Sequence, residues 1–269
     1  MLLLARHGPT HTFAGEPSSA TSAVPTAEPQ QHGPRRLTVE VVATYPHDPT
    51  AFTQGLLFYE GDLYESTGLY GQSTLRRVDL QTGGVFRQVA LPKELFGEGL
   101  ARIGDRLLQL TWQERVALVY DVYRFERVGQ FSYDGDGWGL CHDGKRLIMS
   151  DGSQLLTFRD PDTFAVTGQV DVQADGRPQS RINELECFDG AVYANVWSTD
   201  QILEIDPEDG SVRAVIDASH LLSHDERTAL GHEAVLNGIA YDPATKTFLL
   251  TGKLWPKLFR VRFVEAASQ

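Results

Sequence analysis

The sequence lacks three features that would by themselves assign it to a class. It has only 2 cysteines, no H-E-x-x-H motif, and no apolar run long enough to span a bilayer. Basic residues are scarce as well, because 24 Lys and Arg stand against 36 Asp and Glu and leave a net charge of −12. Phosphate binding needs a basic face, so a nucleic-acid partner is not expected. We also expect no membrane span and no metal or other cofactor.

What the sequence does contain is a repeat. A polar or aromatic residue, a glycine or glutamate, and an aliphatic residue open an apolar run, and this motif recurs at spacings of 44, 40, 45 and 54 residues. The five motifs are Gln54-Gly55-Leu56, Glu98-Gly99-Leu100, Trp138-Gly139-Leu140, Asn183-Glu184-Leu185 and Asn237-Gly238-Ile239. A period of ~40–45 residues with about four strands per repeat is typical of propeller blades. The sequence therefore predicts an all-β fold, a five-bladed β-propeller.

The two ends of the chain indicate how such a ring closes. The last repeat shows only three strands, whereas a strand at 37–45 precedes the first motif. We therefore expect the N-terminal strand to complete the last blade, which buries the edges of the ring. The predicted organisation is a disordered leader over residues 1–36, the propeller over 37–264 and a tail over 265–269. A short helical insertion is predicted between blades four and five.

The insertion carries two histidines, His220 and His224, at a spacing that can hold a metal on one helical face. His232 and Glu233 follow closely and could add ligands. Because there is neither an H-E-x-x-H motif nor a cysteine cluster, a solvated helix is the better interpretation.

The two cysteines, Cys141 and Cys187, each precede by three residues the glycine of an Asp-Gly turn. We place them on the inner strands of adjacent blades, which diverge around a channel. Their Cα atoms should then lie beyond the ~7 Å limit for a disulfide. The sequence predicts two buried free thiols.

A second register of positions indicates where a site would form. Five residues after the first apolar residue of each second strand the chain reaches Gly68, Trp112, Gly152, Trp197 and Lys253. These positions end the second strand of a hairpin, whereas each motif begins the first, so both sets lie at the same end. Two phenylalanines also stand two residues ahead of the first two motifs. The candidate residues are Phe52, Gln54, Phe96, Glu98, Trp112, Trp138, Asn183, Trp197, Asn237 and Lys253.

For each tryptophan alone, packing between blades is the simpler interpretation. Together, however, the tryptophans are expected at the same end of the propeller channel, beside an acid, a base and three amides. That combination predicts a pocket for a small molecule or a chain terminus.

Seven stretches of sequence carry a resemblance to a known family. They are Ala51-Phe52-Thr53-Gln54-Gly55-Leu56, Phe96-Gly97-Glu98-Gly99-Leu100, Asp136-Gly137-Trp138-Gly139-Leu140, Asn183-Glu184-Leu185-Glu186, Ala194-Asn195-Val196-Trp197, Leu236-Asn237-Gly238-Ile239-Ala240 and Thr251-Gly252-Lys253. In type and order they resemble the glutaminyl-peptide cyclotransferases of plants and bacteria, from about Val41 to Phe263. The resemblance implies a five-bladed propeller that closes the N-terminal glutamine of peptides to pyroglutamate, releases ammonia and needs no metal.

The resemblance also implies roles for the candidate residues. Glu98 corresponds to the catalytic acid and base, and the other candidates to the pocket around it, except Asn237, which is added from its ring position alone. The chemistry suits these residue types, because the α-amine must be neutral to attack and the departing nitrogen must gain a proton. We expect Lys253 and Asn183 to stabilise the oxyanion. We also expect Lys253 to keep Glu98 ionised despite burial.

Two alternatives come from other classes of protein. A metal-dependent propeller hydrolase or lactonase would need several carboxylates facing the channel, and Glu184 and Glu186 lie near Glu98 in the repeat pattern. A non-catalytic peptide- or sugar-binding propeller could use the same tryptophans. The expected partner is a peptide or protein with N-terminal glutamine, and the expected state is a monomer. Export to the periplasm or cell exterior is expected, although the apolar start at residues 1–5 is shorter than the usual ~7–15.

Overall fold

The computed structural model describes residues 33–266, and within that range it contains 22 strands and one short helix. The all-β prediction is confirmed. Most of the predicted leader, residues 1–32, and residues 267–269 of the predicted tail lie outside the described residues. Arg35 and Arg36 already belong to the first strand, so regular structure begins slightly before the predicted boundary.

Three sheets are antiparallel meanders of four consecutive strands. The first contains β2 (Thr53–Tyr59), β3 (Asp62–Thr67), β4 (Thr74–Val78) and β5 (Val85–Ala90). The second contains β6 (Gly97–Ile103), β7 (Arg106–Thr111), β8 (Val116–Asp121) and β9 (Arg127–Ser132). The third contains β10 (Leu140–His142), β11 (Leu147–Ser150), β12 (Leu155–Arg159) and β13 (Val166–Asp171). A two-stranded hairpin, β14 (Gln173–Ala174) and β15 (Arg177–Pro178), follows.

The remaining sheet has eight strands, because the N-terminal strand joins two groups. One group is β16 (Ile182–Phe188), β17 (Ala191–Val196), β18 (Gln201–Ile205) and β19 (Val212–Asp217), and the other is β20 (Leu236–Asp242), β21 (Thr247–Gly252) and β22 (Lys257–Glu265). β1 (Arg35–Pro46) pairs antiparallel with β22, as predicted. It also pairs in parallel with β19 over its first four residues, which was not predicted.

In four of the five groups the first strand contains the repeat motif and a β-bulge at it. In the third sheet, Trp138 and Gly139 directly precede β10. The register shifts fall at Thr53/Gly55, Gly97/Leu100, Ile182/Leu185 and Leu236/Ile239. A bulge inserts an extra residue, bends the strand and changes the direction of the side chains beside it. In these four groups the motif thus marks an irregularity of the backbone at one end of the first strand.

Glycines in the motif allow these strands to approach each other closely. A Cβ atom at Gly99 would lie 2.6 Å from the carbonyl oxygen of Trp138, and one at Gly139 would lie 2.0 Å from that of Asn183. The N–H of Gly99 donates to the carbonyl of Trp138 at 2.6 Å. Only a residue without a side chain fits at such distances. The motif glycines therefore bring neighbouring sheets together at the level of the predicted site.

Glu184 stands where the other four motifs have glycine. Its carboxylate accepts the backbone N–H groups of Leu56 at 3.2 Å and Ile239 at 2.8 Å. It thereby links β16 to both β2 and β20. Burial raises the pKa of Glu184 well above its usual value, against the opposing effect of the two N–H donors.

The prediction of two free thiols is wrong. Cys141 on β10 and Cys187 on β16 form a disulfide, with Cα atoms 5.4 Å apart. That separation lies within the usual range for a bridge. The prediction failed because it assumed that the first strands of neighbouring repeats diverge, whereas the contact between Gly139 and Asn183 holds these two together.

Removing this disulfide should destabilise the protein measurably. The bridge spans 46 positions in the sequence, and closing a loop of that size restricts the unfolded chain, so we expect a loss of about 2–4 kcal/mol. The measurement is urea unfolding of the Cys141→Ser/Cys187→Ser variant against the wild type. Wild type treated with reductant is the control and should unfold like the variant. Equal midpoints for oxidised and reduced protein would contradict the prediction.

The predicted helical insertion is confirmed as α1 (His224–Leu230), between β19 and β20. Ser223 caps its N-terminus and forms a reciprocal capping box with Glu226. His220 precedes the helix, and its Nε2 lies 2.9 Å from the carbonyl oxygen of Val39, so His220 and His224 do not share a helical face. No cluster of three or more potential metal-ligating side chains occurs within residues 33–266. No helix in that range reaches the length and apolar character that crossing a membrane requires.

Candidate active site

One pocket of about 290 Å³ lies where the motif ends of the first strands meet. Nine of the ten candidate residues line it: Phe52, Gln54, Phe96, Glu98, Trp112, Trp138, Asn183, Trp197 and Lys253. Asn237, the tenth, lies behind this lining and contacts Gln54. A larger depression of about 490 Å³ beside α1 contains none of the candidates. The two sets of positions identified in the sequence therefore lie around one pocket.

The walls of the pocket are aromatic and packed edge to face. The ring of Phe96 lies 6.2 Å from that of Phe52 and 5.7 Å from that of Trp112. On the other side, Trp138 and Trp197 contact each other at 5.8 Å. Trp197 is 43% exposed and forms part of the mouth. Edge-to-face packing fixes each ring against its neighbour, so the walls keep their shape without a ligand.

The segment that carries Phe52 and Gln54 packs against a buried network of charged side chains. Glu65 on β3 accepts the hydroxyl of Thr53 at 2.6 Å, Nε2 of His47 lies 3.0 Å from it, and Arg76 donates to it at 2.6 Å. Burial would raise the pKa of Glu65, but the charges of His47 and Arg76 lower it to about 2. The ionised network holds the chain segment that carries Phe52 and Gln54.

Glu98 is the most enclosed charged group of the pocket, with only 4% of its surface exposed. Nε2 of Gln54 donates to its Oε1 at 2.8 Å. The side chain of Asn237 in turn donates to the carbonyl of Thr53 at 2.9 Å and to Oε1 of Gln54 at 3.3 Å. Asn237 thereby fixes the orientation of the Gln54 amide, whose nitrogen then faces Glu98. Its effect on the site is to position Gln54.

Burial raises the pKa of Glu98 well above its usual value. The positive charge of Lys253 opposes this rise, and the negative charges of Glu114 and Asp136 add to it. The expectation that Lys253 keeps Glu98 ionised is therefore wrong, because loss of hydration outweighs the one favourable charge. Glu98 can hold a proton at a pH where an exposed glutamate would have lost it.

Lys253 is buried to a similar degree, with 5% of its surface exposed. Burial lowers its pKa to about 8, against the opposing effects of Glu98 and Glu233. Its Nζ lies 4.7 Å from the centre of the Phe52 ring, and among residues 33–266 no carboxylate forms an ion pair with it. The ammonium is therefore free to meet a group on a ligand.

Two further polar atoms of the lining have no hydrogen-bond partner in the described part of the chain. They are Oδ1 of Asn183 and the indole Nε1 of Trp138. Buried polar atoms in folded proteins are nearly always paired. Both atoms belong to the pocket lining, so a polar ligand there can supply the missing partners.

The sequence did not predict two residues at the rim of the pocket, Tyr70 and Glu114. The ring of Tyr70 packs edge-on against Phe96 at 5.3 Å, and its hydroxyl donates to Oε1 of Glu114 at 2.8 Å. The backbone N–H of Phe96 donates to Oε2 of Glu114 at 3.3 Å. Both residues lie in loops outside the two registers. The available signal was the position of Glu114 two residues after Trp112.

Comparisons with known proteins show which family the chain belongs to. The family model for glutamine cyclotransferase matches residues 15–263. A glutaminyl-peptide cyclotransferase of Arabidopsis thaliana is 45% identical over 237 residues, which are 86% of this chain and 73% of that protein. The crystal structure of the glutaminyl cyclase of Myxococcus xanthus matches with a TM-score of 0.80 and 42% identity, over 87% of this chain and 99% of the other. The resemblance inferred from the seven motifs is confirmed, and the chain belongs to the glutamine cyclotransferase family.

Proposed function

We propose that the pocket closes the N-terminal glutamine of peptides to pyroglutamate and releases ammonia, with Glu98 carrying the proton. Membership of the family makes the chain a glutaminyl-peptide cyclotransferase, which favours an enzyme over a non-catalytic binding module. The observation that carries the role of Glu98 is a buried carboxyl with a raised pKa beside a buried lysine, within aromatic walls. Incubation with a glutaminyl dipeptide should release ammonia, and no release would refute the proposal.

The reaction needs one proton to move between two nitrogen atoms. The neutral α-amine attacks the side-chain amide carbon, a C–N bond forms, and the carbonyl oxygen takes up the negative charge. When the carbonyl re-forms, the bond to the amide nitrogen breaks, and that nitrogen must leave as ammonia. Glu98 accepts the proton lost by the amine and gives it to the departing nitrogen. A raised pKa makes the Glu98 carboxylate a stronger base than an exposed glutamate, which favours acceptance of the proton.

The oxyanion of the intermediate needs donors that are in place beforehand. Lys253 offers an ammonium without an ion-pair partner among the described residues. Asn183 offers the N–H donors of its side-chain amide, and its unpaired Oδ1 can accept the N–H of the substrate amide. We assign Lys253 and Asn183 to this charge and to the substrate amide. The aromatic walls hold the glutamine in the bent conformation that ring closure requires.

The assignment of Lys253 predicts a pH dependence. Its pKa is lowered to about 8, so the ammonium is present below that pH and lost above it. With saturating glutaminyl dipeptide, kcat of the wild type should therefore fall as the pH rises from 8 to 10. The Lys253→Met variant, which has no group to titrate, should be slower but show no such fall. A fall that persists in the variant would assign the titration to another group.

The metal-dependent alternative receives no support from the other carboxylates. Both oxygens of Glu184 accept backbone N–H groups, and Glu186 accepts the N–H of Tyr241 at 3.2 Å. Burial raises the pKa of Glu186 to about 8. Acids bound to N–H donors and inclined to keep a proton are poor metal ligands. We infer a metal-independent reaction, so prolonged treatment with a chelator should leave activity unchanged.

The finer features of the fold are also proposals. We interpret each four-stranded sheet as one blade and the eight-stranded sheet as two, which gives a five-bladed propeller over residues 37–264 closed by the N-terminal strand. The pairing of β1 with both β19 and β22 supports that closure. The predicted bounds need one adjustment, because Arg35 and Arg36 already belong to β1 and Glu265 still belongs to β22.

The compartment and the oligomeric state are also proposals. Disulfides form and persist in oxidising compartments, so the bridge between Cys141 and Cys187 supports export to the periplasm or cell exterior. We propose a monomer that acts on peptides or proteins with N-terminal glutamine. Cell fractionation and light scattering test these two statements.

A further inference from the structure

The rim of the pocket carries two carboxylates that cyclisation does not use. Glu114 is fixed by Tyr70 and by the backbone of Phe96, as described above. Asp136 precedes Trp138 by two residues, and the N–H of the intervening Gly137 donates to the carbonyl of Trp112 at 2.9 Å. Glu114 follows Trp112 by two residues, so both carboxylates belong to segments that lie beside Trp112.

These carboxylates have no cationic partner in the described part of the chain. Neither has a Lys, Arg or His nitrogen within 4.0 Å among residues 33–266. Both act on the interior of the pocket, because their charges raise the pKa of Glu98. Lys253, whose positive charge opposes this rise, lies over Phe52. The part of the mouth beside Phe96 and Trp112 is thus negative and aromatic.

We propose that Tyr70, Glu114 and Asp136 form a subsite for the residue that follows the N-terminal glutamine, and that this subsite selects a cationic side chain. The inference rests on the proposed function, which places the glutamine against Glu98. The rest of the peptide must then leave through the mouth and pass the rim. A Lys or Arg side chain there meets two carboxylates that have no cationic partner among the described residues. It also meets the ring of Tyr70, which is 49% exposed. An acidic side chain meets repulsion.

The test compares kcat/KM for glutaminyl-lysine, glutaminyl-alanine and glutaminyl-glutamate dipeptides with blocked C-termini. Each exposed ion pair is worth up to about fivefold, so two carboxylates should give a preference for lysine over glutamate of about tenfold. Because the preference is electrostatic, 0.5 M salt should reduce it strongly. Glutaminyl-alanine reports the reaction without a charge at the second residue.

Variants locate the effect. Glu114→Gln and Asp136→Asn should each reduce the lysine-to-glutamate ratio to roughly threefold, and the double variant should nearly abolish it. Tyr70→Leu removes the aromatic face and should reduce the ratio as well. Glu126→Gln is the matched control. Glu126 lies in the loop between β8 and β9, at the end of that sheet opposite to the β7–β8 loop that carries Glu114. It should leave the ratio unchanged.

The outcomes separate this inference from the proposed function. A wild-type ratio near one, or a ratio that survives in the double variant, overturns the subsite while leaving the cyclisation intact. If no dipeptide releases ammonia, the proposed function fails. Calorimetry then measures the dissociation constants of the lysine and glutamate dipeptides, and their ratio tests the subsite. Equal affinities overturn the subsite in that case, and a cationic preference that Glu114→Gln reduces supports it.

Discussion

Glu98→Gln should turn over glutaminyl peptides roughly 10²–10⁴-fold more slowly than the wild type, the usual loss when a positioned acid or base is removed. The variant keeps the shape of the side chain, and its amide oxygen can still accept the hydrogen bond from Gln54 that Glu98 accepts at 2.8 Å. It lacks the site that carries the proton between the two nitrogen atoms. The loss should fall on kcat, because the chemical step rather than substrate contact is affected.

The same variant should fold at least as well as the wild type. Burial raises the pKa of Glu98, so the ionised form disfavours the folded state, and this cost grows as the pH rises above the ordinary pKa of the group. A neutral amide removes that cost at neutral pH. Equal or higher melting temperature with lost activity is the expected pair of results. Glu126→Gln serves as the control for removal of one carboxylate.

Steady-state ammonia release and thermal unfolding provide both readouts. Turnover by Glu98→Gln at more than about a tenth of the wild-type rate would exceed what loss of a general base allows. Another group would then carry the proton, and the mechanism proposed above would be wrong.

Lys253→Met should lower kcat by roughly 10²–10³-fold, the loss typical of removing one preorganised donor to an oxyanion. Methionine retains an unbranched apolar side chain, so packing against Phe52 and the enclosure of the pocket should persist. The variant also removes a buried ammonium whose pKa burial has lowered to about 8. Its stability should therefore not decrease.

Asn183→Leu is the companion variant, and it should likewise lower kcat more than it raises KM. The comparison of kcat with KM for both variants distinguishes stabilisation of developing charge from attachment of the peptide. An increase in KM with kcat unchanged would assign Lys253 and Asn183 to substrate binding. It would also remove the physical basis for the predicted fall in activity above pH 8.

The repeat in the sequence was sufficient to predict where the pocket forms. Glu98 lies on β6 and Trp112 directly follows β7, and their proximity depends only on the antiparallel pairing of these two strands. The short helix was likewise predicted from a local pattern, Leu221, Leu222 and Leu230 among polar residues, and the structure adds the capping box of Ser223 and Glu226. These predictions succeeded because strands and helices have a regular geometry, in which spacing along the sequence determines position in space.

Features that depend on the approach of distant strands were not predictable in this way. The bridge between Cys141 and Cys187 requires two neighbouring sheets to come close, and the glycines that permit it act by contact with another sheet's backbone. The parallel pairing of β1 with β19 joins residues far apart in the chain. Tyr70 and Glu114 meet only because two loops of different sheets lie side by side.

The sequence by itself determined the all-β class and the residues that surround the pocket, since these follow from motif spacing and strand pairing. It also determined the family, through the resemblance of its seven motifs. Only the tertiary structure decided the disulfide, the rim and the protonation of the site. A pKa depends on how completely water is removed and on which charges remain nearby, and neither quantity is local in the sequence. For that reason Glu98 was predicted to be ionised by its lysine, and the folded protein instead raises its pKa by burial.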